Sequence, residues 1–202
     1  PTFPEVVIGN YATYRMGAVS AMNNALYTER ELEHQLNEAD AVCLVTLDLL
    51  LPRYLKIKDK TKIKTIITCH INDYLPFPLK QLFPFLKKDM YRKITPQDGV
   101  YEFMELIRKY PGDKMENEAR WDELGTLMFT GGTTGISKAA MISHANMSMN
   151  VQQLRKWVWD LEDGKERTLA IFPFFHSAGF TGIQNLGLLS GATIILLPRP
   201  DP

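Results

Sequence analysis

The sequence is poor in cysteine: Cys43 and Cys69 are the only two in 202 residues. That is too few for a disulfide framework or a cysteine-built zinc cluster. Both stand in apolar runs that read as buried strands, 41–46 and 65–69, so both are expected to be small buried hydrophobes in a reducing, cytoplasmic setting. An excess of charge is lacking too. Lysine plus arginine number 23 and aspartate plus glutamate 23, which leaves no general attraction for nucleic acid and excludes it as a default partner. No apolar run reaches the roughly 18 residues needed to cross a bilayer. Residues 1–10 contain no basic stretch followed by an apolar one, so no secretory leader is expected in them. An initiator methionine is missing, and the sequence stops at Asp201-Pro202 just after a strand pattern. It reads as part of a longer protein.

What is present is a hydrophobic fraction of 45%, enough for a real core. Residues 5–17 read as a helix ending at Gly17, and 18–22 as a short strand. Thr28-Glu29-Arg30-Glu31 has the form of a capping box opening a helix to about Ala39. Residues 100–110 read as a helix. In the second half, 125–129 and 139–142 read as strands around a loop. Ser143 is placed to cap a helix to about Trp159. A strand at 168–172, a glycine-rich helix at 177–189 and a strand at 192–197 follow. Strands alternating with helices predict an α/β fold with mostly parallel sheets covered by helices, here as an incomplete domain. Two portions are expected, 1–120 and 121–202. The first includes a Pro- and aromatic-rich excursion over 73–97 and a polar linker over 111–120. The excursion holds Phe77, Phe83 and Phe85 among prolines and reaches Lys87 and Lys88. Its plainer reading is a segment packed on its own domain. The sharper one is a membrane-surface or lipid-entry element, because aromatics with lysines suit an interface.

The run Phe129-Thr-Gly-Gly-Thr-Thr-Gly-Ile-Ser-Lys138 carries the chemistry. Gly131, Gly132 and Gly135 let the backbone approach an anion and adopt positive φ. Successive amides in such a turn form a concave anion site. Thr130, Thr133 and Thr134 add hydroxyls, and Lys138 adds a point charge suited to phosphate. A Walker loop needs lysine directly after its last glycine, but Ile136 and Ser137 intervene. A dinucleotide fingerprint opens a helix, whereas here a strand follows. A glycine–threonine hairpin with no ligand remains the plain alternative.

With its flanking strands and the Ser-His-Ala-Asn that follows, this loop resembles that of the adenylate-forming superfamily: acyl-CoA synthetases, aryl-CoA ligases, luciferases and nonribosomal adenylation domains. The superfamily pattern is close to Thr-Ser-Gly-Thr-Thr-Gly-x-Pro-Lys-Gly. Thr130, Gly132, Thr133, Thr134, Gly135 and Lys138 match it. Gly131, Ser137 and Ala139 depart, removing a hydroxyl, a stiffening proline and a glycine. Phe172-Pro-Phe-Phe-His176-Ser-Ala-Gly179 resembles the family's Pro-x-Phe-His-x-x-Gly. The stretch from Ala25 to Leu36 resembles a phrase of fatty acyl-CoA synthetases. Over most of the chain the likeness is to the N-terminal domain of a long-chain fatty acyl-CoA synthetase, with 73–120 the weakest part.

The resemblance implies that a fatty acid is activated by ATP to an acyl-adenylate and then passed to coenzyme A, with Mg2+ assisting. Thr130, Gly131, Gly132, Thr133, Thr134, Gly135 and Lys138 would hold the β- and γ-phosphates, and the Thr130 hydroxyl would help hold the magnesium. His176 would sit near the α-phosphate and the substrate carboxylate; its plainer role is capping the helix that begins near Ser177. Phe174 and Phe175 are expected in the core or a pocket wall, and Gly179 where the helix nears the acyl pocket. His144 is expected to be structural, while His34 and His70 carry no signal. An aryl- or amino-acid-activating ligase, or a non-catalytic nucleotide-binding module, are the rival readings. Peripheral membrane contact is part of the lipid reading. The family's adenine-binding strand, its Tyr-Gly-x-Thr-Glu segment and its C-terminal domain with a catalytic lysine are expected beyond Pro202. The 202-residue chain alone is therefore expected to give no turnover with ATP, Mg2+, palmitate and coenzyme A; pyrophosphate release from it would overturn that expectation.

Overall fold

The computed structural model describes residues 2–110, 112–113, 115–130 and 137–197. Two compact units emerge: Pro1–Asn24 with Met115–Pro202, and Ala25–Lys114. The division expected at 120/121 differs in the first 24 residues, which belong with the second half of the chain. The reason lies in strand pairing. Strand β1 (Ser20–Met22) pairs in parallel with β5 (Leu124–Thr130), Ser20 against Thr126. Helix α1 (Pro4–Arg15) precedes β1 and ends at Gly17, whose φ is +67°. A Cβ there would lie 3.3 Å from that of Glu118, and the Glu118 amide donates to Arg15 O at 2.9 Å. Met115 and Glu118, in the second part of the expected linker, thus lie against the end of α1.

In the unit Ala25–Lys114, β2 (Cys43–Leu47), β3 (Thr65–Cys69) and β4 (Val100–Glu102) form a parallel sheet in the order β2-β3-β4. Helix α2 (Glu29–Glu38) begins at the expected capping box, with Thr28 and Glu31 bonded reciprocally. Its Leu32 and Leu36 fall one turn apart on the same face and are buried with Leu44, Tyr54 and Ile66. Helices α3 (Leu51–Ile57), α4 (Leu79–Leu86) and α5 (Phe103–Lys109) complete the unit. Two expectations change here. Residues 100–102 are a strand rather than the start of a helix, because they pair with 66–68 of β3; pairing overrides local propensity. Cys69 is buried, but Cys43 is exposed. Strand β2 alternates, with Leu44 and Thr46 turned inward and Cys43 and Val45 outward.

In the other unit, β5 also pairs with β6 (Lys138–Ser143), and this pairing is antiparallel. The sheets are otherwise parallel, as β7 (Arg167–Ala170) and β8 (Thr193–Leu196) show. Helix α6 (His144–Trp157) follows β6 through a second capping box, Ser143 with Asn146. A π-helical segment (Ala178–Asn185) runs into α7 (Leu186–Leu189). Tyr14, Met128, Phe174, Phe180 and Ile183 share the core.

A buried polar cluster that had no sequence signal sits beside β3. The fully buried Asp48 carboxylate accepts from the Leu49 amide at 2.8 Å, the Arg92 amide at 2.6 Å and His70 Nδ1 at 2.8 Å. Tyr91 stacks on His70, ring centroids 4.7 Å apart. Burial opposes the charged imidazole, yet the Asp48 hydrogen bond and the charges of Asp48, Asp73 and Glu102 outweigh it and raise the His70 pKa. A pKa raised by folding contributes stability that is present below the unfolded value, near about 6.5, and lost as pH rises through the folded value. Urea midpoints are therefore expected to fall as pH rises from about 6.5. Asp48→Asn should flatten that slope; an unchanged slope would rule out this pair as its source.

Candidate functional site

The site is built on the β5–β6 hairpin. Thr126 of β5 is fully buried and its hydroxyl donates to Ser20 O at 3.0 Å, which ties β5 to β1. At Gly125 the strand passes so close to α6 that a Cβ would lie 2.4 Å from Met147 Cε and 3.0 Å from the His144 ring. His144 meets Tyr14 edge to face, centroids 5.5 Å apart at 88°. Burial pushes the Tyr14 phenol up to about 12, so it stays neutral there. His144 is thus held by packing, in line with its structural reading.

Of the expected phosphate-loop residues, Gly131, Gly132, Thr133, Thr134 and Gly135 lie outside the described residues. The two ends of the loop are described. Thr130 and Lys138 are cross-strand partners, and both side chains are exposed. The Thr130 hydroxyl donates to Lys138 O at 3.3 Å, and the Ser137 hydroxyl donates to Thr130 O at 3.0 Å. The departure from proline at 137 therefore supplies a hydroxyl that closes the neck of the loop. The antiparallel pairing brings one hydroxyl and one ammonium to the same end of the hairpin. No group of three or more metal-ligating side chains occurs among the described residues. The Thr130 hydroxyl is a hard oxygen donor of the kind Mg2+ takes, but a single one, so phosphate oxygens and water would complete the shell.

His176 stands on a tight turn. Its amide donates to Pro173 O at 3.0 Å, and its carbonyl accepts from the Phe180 amide at 2.8 Å. Its Nδ1 accepts from the Ala178 amide at 3.2 Å, which is the helix-capping role. That bond also orders the ring chemically. With Nδ1 accepting, the neutral imidazole carries its proton on Nε2, so an exposed ring is left with a donor to offer. Capping and donation are then compatible. Phe174 is fully buried in the core, while Phe175 packs partly against it.

Gly179 packs against the turn that carries His176. A Cβ there would lie 2.2 Å from Pro173 O and 2.6 Å from Phe172 O. The glycine lets the helix start close on the turn that carries His176. The helix continues as eight residues of π-helix, Ala178–Asn185, a rare form that occurs often at functional sites.

The sequence carried no signal for an open groove of about 590 Å³ beside this turn, walled by Asn150, Gln153, Leu154 and Trp157 of α6 and by Ser177 and Thr181. Its size suits a small organic ligand. Two helices distant in sequence build it, so no local pattern announces it.

Along residues 1–202 the chain matches the family described as AMP-binding enzyme. It is 34% identical over 208 residues to a long-chain-fatty-acid–CoA ligase of Bacillus subtilis, a match covering 100% of this chain and 37% of that protein. A ligase of the same description from Salmonella typhimurium is 28% identical, over 99% of the chain and 36% of its own length. The chain thus spans little more than a third of these relatives (37% and 36%). Among solved structures, an anthranilate–CoA ligase in complex with anthranoyl-AMP superposes with TM-score 0.77 at 21% identity, over 97% of this chain and 33% of that one. A long-chain-fatty-acid–CoA ligase of Archaeoglobus fulgidus gives 0.70 at 23%, over 94% and 32%. At those identities the structures speak for the fold.

The glycines of the π-helix give a paired test. Gly179→Ala forces a Cβ against backbone oxygens and is expected to destabilise by about 2 kcal/mol or more. Gly182→Ala, with nothing within 4 Å of its Cβ, is expected to be neutral or to gain about 0.5 kcal/mol. Equal urea midpoints for the two variants would contradict the close approach.

Proposed function

The chain belongs to the family of AMP-binding enzymes, and from that premise we propose that the protein containing it is an ATP-dependent fatty acid–CoA ligase. A carboxylate oxygen attacks the α-phosphorus of ATP, the bond to pyrophosphate breaks, and an acyl-adenylate forms. The thiol of coenzyme A then attacks the acyl carbonyl and AMP leaves. Charge builds on phosphate oxygens in the first step, so fixed donors and cations dominate catalysis.

The observation that carries the reading is the Thr130–Lys138 pair across the neck of the hairpin. It sets an ammonium and a hydroxyl on either side of a loop whose glycines and threonines suit phosphate. Thr130, Gly131, Gly132, Thr133, Thr134, Gly135 and Lys138 then grip the β- and γ-phosphates and stabilise the leaving pyrophosphate. His176 offers its Nε2 proton to the α-phosphate or the substrate carboxylate, with Nδ1 engaged by Ala178. The Thr130 hydroxyl would help hold Mg2+, which would supply neutralisation of phosphate charge. The groove between α6 and the π-helix begins one residue after His176, at Ser177, and receives the acyl group. A fatty acid partitions into lipid, so this reading includes peripheral contact with a membrane surface.

In the full-length protein, pyrophosphate release is expected with long-chain fatty acids and not with aryl acids or amino acids. Lys138→Ala is expected to lower kcat/KM for adenylate formation about 100-fold, and His176→Ala by a similar factor. Unchanged adenylate formation in Lys138→Ala would remove its assigned role and favour a nucleotide-binding module without chemistry. Preference for an aryl acid would redirect the substrate assignment.

A further inference from the structure

Helix α4 leaves an apolar stripe uncovered. A helix at a protein surface normally buries its apolar stripe and exposes its charges. In α4 no residue is buried. At about 100° per residue, Leu79, Leu82, Phe85 and Leu86 fall within one arc of about 120°, and all four are exposed. Phe85 and Leu86 are 73% and 68% exposed, and Phe77, just before the helix, is 83% exposed. The opposite side carries Lys80 with the half-buried Phe83 and Pro84. Lys80 Nζ donates to Asp73 O at 2.7 Å, and Asn72 Nδ2 donates to Lys80 O at 2.9 Å. The segment after α4 is anchored as well, through the Arg92 amide on Asp48.

The charge around this apolar arc has one dominant sign. Residues 74–93 contain Lys80, Lys87, Lys88, Arg92 and Lys93 against Asp89, five cations to one anion, in a chain whose formal net charge is zero. Lys87, Lys88, Arg92 and Lys93 are exposed, and none of their side chains forms an ion pair among the described residues. A covered protein interface would be depleted of lysine. Exposed phenylalanine and leucine bordered by lysine and arginine match the boundary between headgroups and acyl chains of an anionic bilayer.

We propose that residues 74–93 form a docking face for an anionic lipid surface, with Phe77, Leu79, Leu82, Phe85 and Leu86 inserted and Lys87, Lys88, Arg92 and Lys93 on the headgroups. The helix lies in the plane of the interface, its apolar side about 5–10 Å deep. The inference deepens the fatty-acid reading, naming the surface from which such a substrate is drawn, and rests on that reading for the substrate alone.

The test is co-sedimentation of the full-length protein with phosphatidylcholine vesicles, with and without about one third phosphatidylglycerol. Binding to the anionic vesicles is expected, weakening as salt rises. Phe85→Asp with Leu86→Asp should weaken it about tenfold or more. Lys87→Glu with Lys88→Glu should do the same on anionic vesicles, and Gln81→Ala, away from the apolar arc, should bind as wild type. Failure of wild type to bind either vesicle would overturn the proposal, since the face is then covered by the remaining chain. Binding unchanged in the aspartate variant would overturn it too, as would a solution dimer that this variant splits in place of vesicle binding. Thermal melts of each variant guard against misfolding, and the salt dependence of wild type needs no variant at all. Adenylate formation from a water-soluble carboxylic acid, measured on the same preparations, reads the ligase function separately: its absence would count against that function while leaving the sedimentation result intact.

Discussion

The antiparallel pairing of β5 with β6 is the constraint on which the candidate site depends. It sets Thr130 against Lys138 and so fixes both ends of the loop between them. The same strand is locked from its other edge, where Thr126 donates to the Ser20 carbonyl. Because β6 ends at Ser143, whose side chain caps α6, the pairing also determines where α6 begins. At Gly125 a Cβ would meet the Met147 and His144 side chains of that helix. One ladder thus sets Thr130 against Lys138 and the start of α6, one wall of the groove.

The turn at His176 adds the second half of the site by a different device. Its geometry comes from backbone contacts that only glycine permits, since the Gly179 position lies against the carbonyls of residues 172 and 173. The amide of Ala178 then takes His176 Nδ1 as its acceptor. A contact that satisfies a helix start also selects a tautomer, leaving Nε2–H for a ligand. The structural role of this imidazole is compatible with the chemical role proposed for it.

The unit Ala25–Lys114 follows another logic. Its sheet is covered in the ordinary way by α2, whose apolar residues recur at helical spacing. The Asp48 carboxylate gathers amides and an imidazole from segments far apart in sequence. Those bonds anchor the stretch after α4, and Asp73 with Asn72 anchors α4 itself at Lys80. These hydrogen bonds and the half-buried Phe83 and Pro84 hold one side of that helix, and the stripe of Leu79, Leu82, Phe85 and Leu86 stays outward.

Much of this was legible in the sequence because it is written locally. Capping boxes at Thr28 and Ser143, the glycine that ends α1, and the strand–loop–strand around 129–138 each depend on residues within a few positions of one another, and each is where it was expected. What depends on distant partners was not legible. Residues 100–102 became a strand because β3 offered them an edge. Cys43 turned outward because side chains alternate along β2 and it shares the uncovered face with Val45. The first 24 residues joined the second half of the chain because β1 pairs with β5. The His70–Asp48 bond, the groove between α6 and the π-helix, and the outward side of α4 all arise from residues brought together by packing. Propensity, capping and backbone freedom are short-range, so most of the elements could be read along the chain. Only the tertiary structure decided which edges pair, which faces are covered and which side chains meet, since burial and cross-strand hydrogen bonding are properties of neighbours in space.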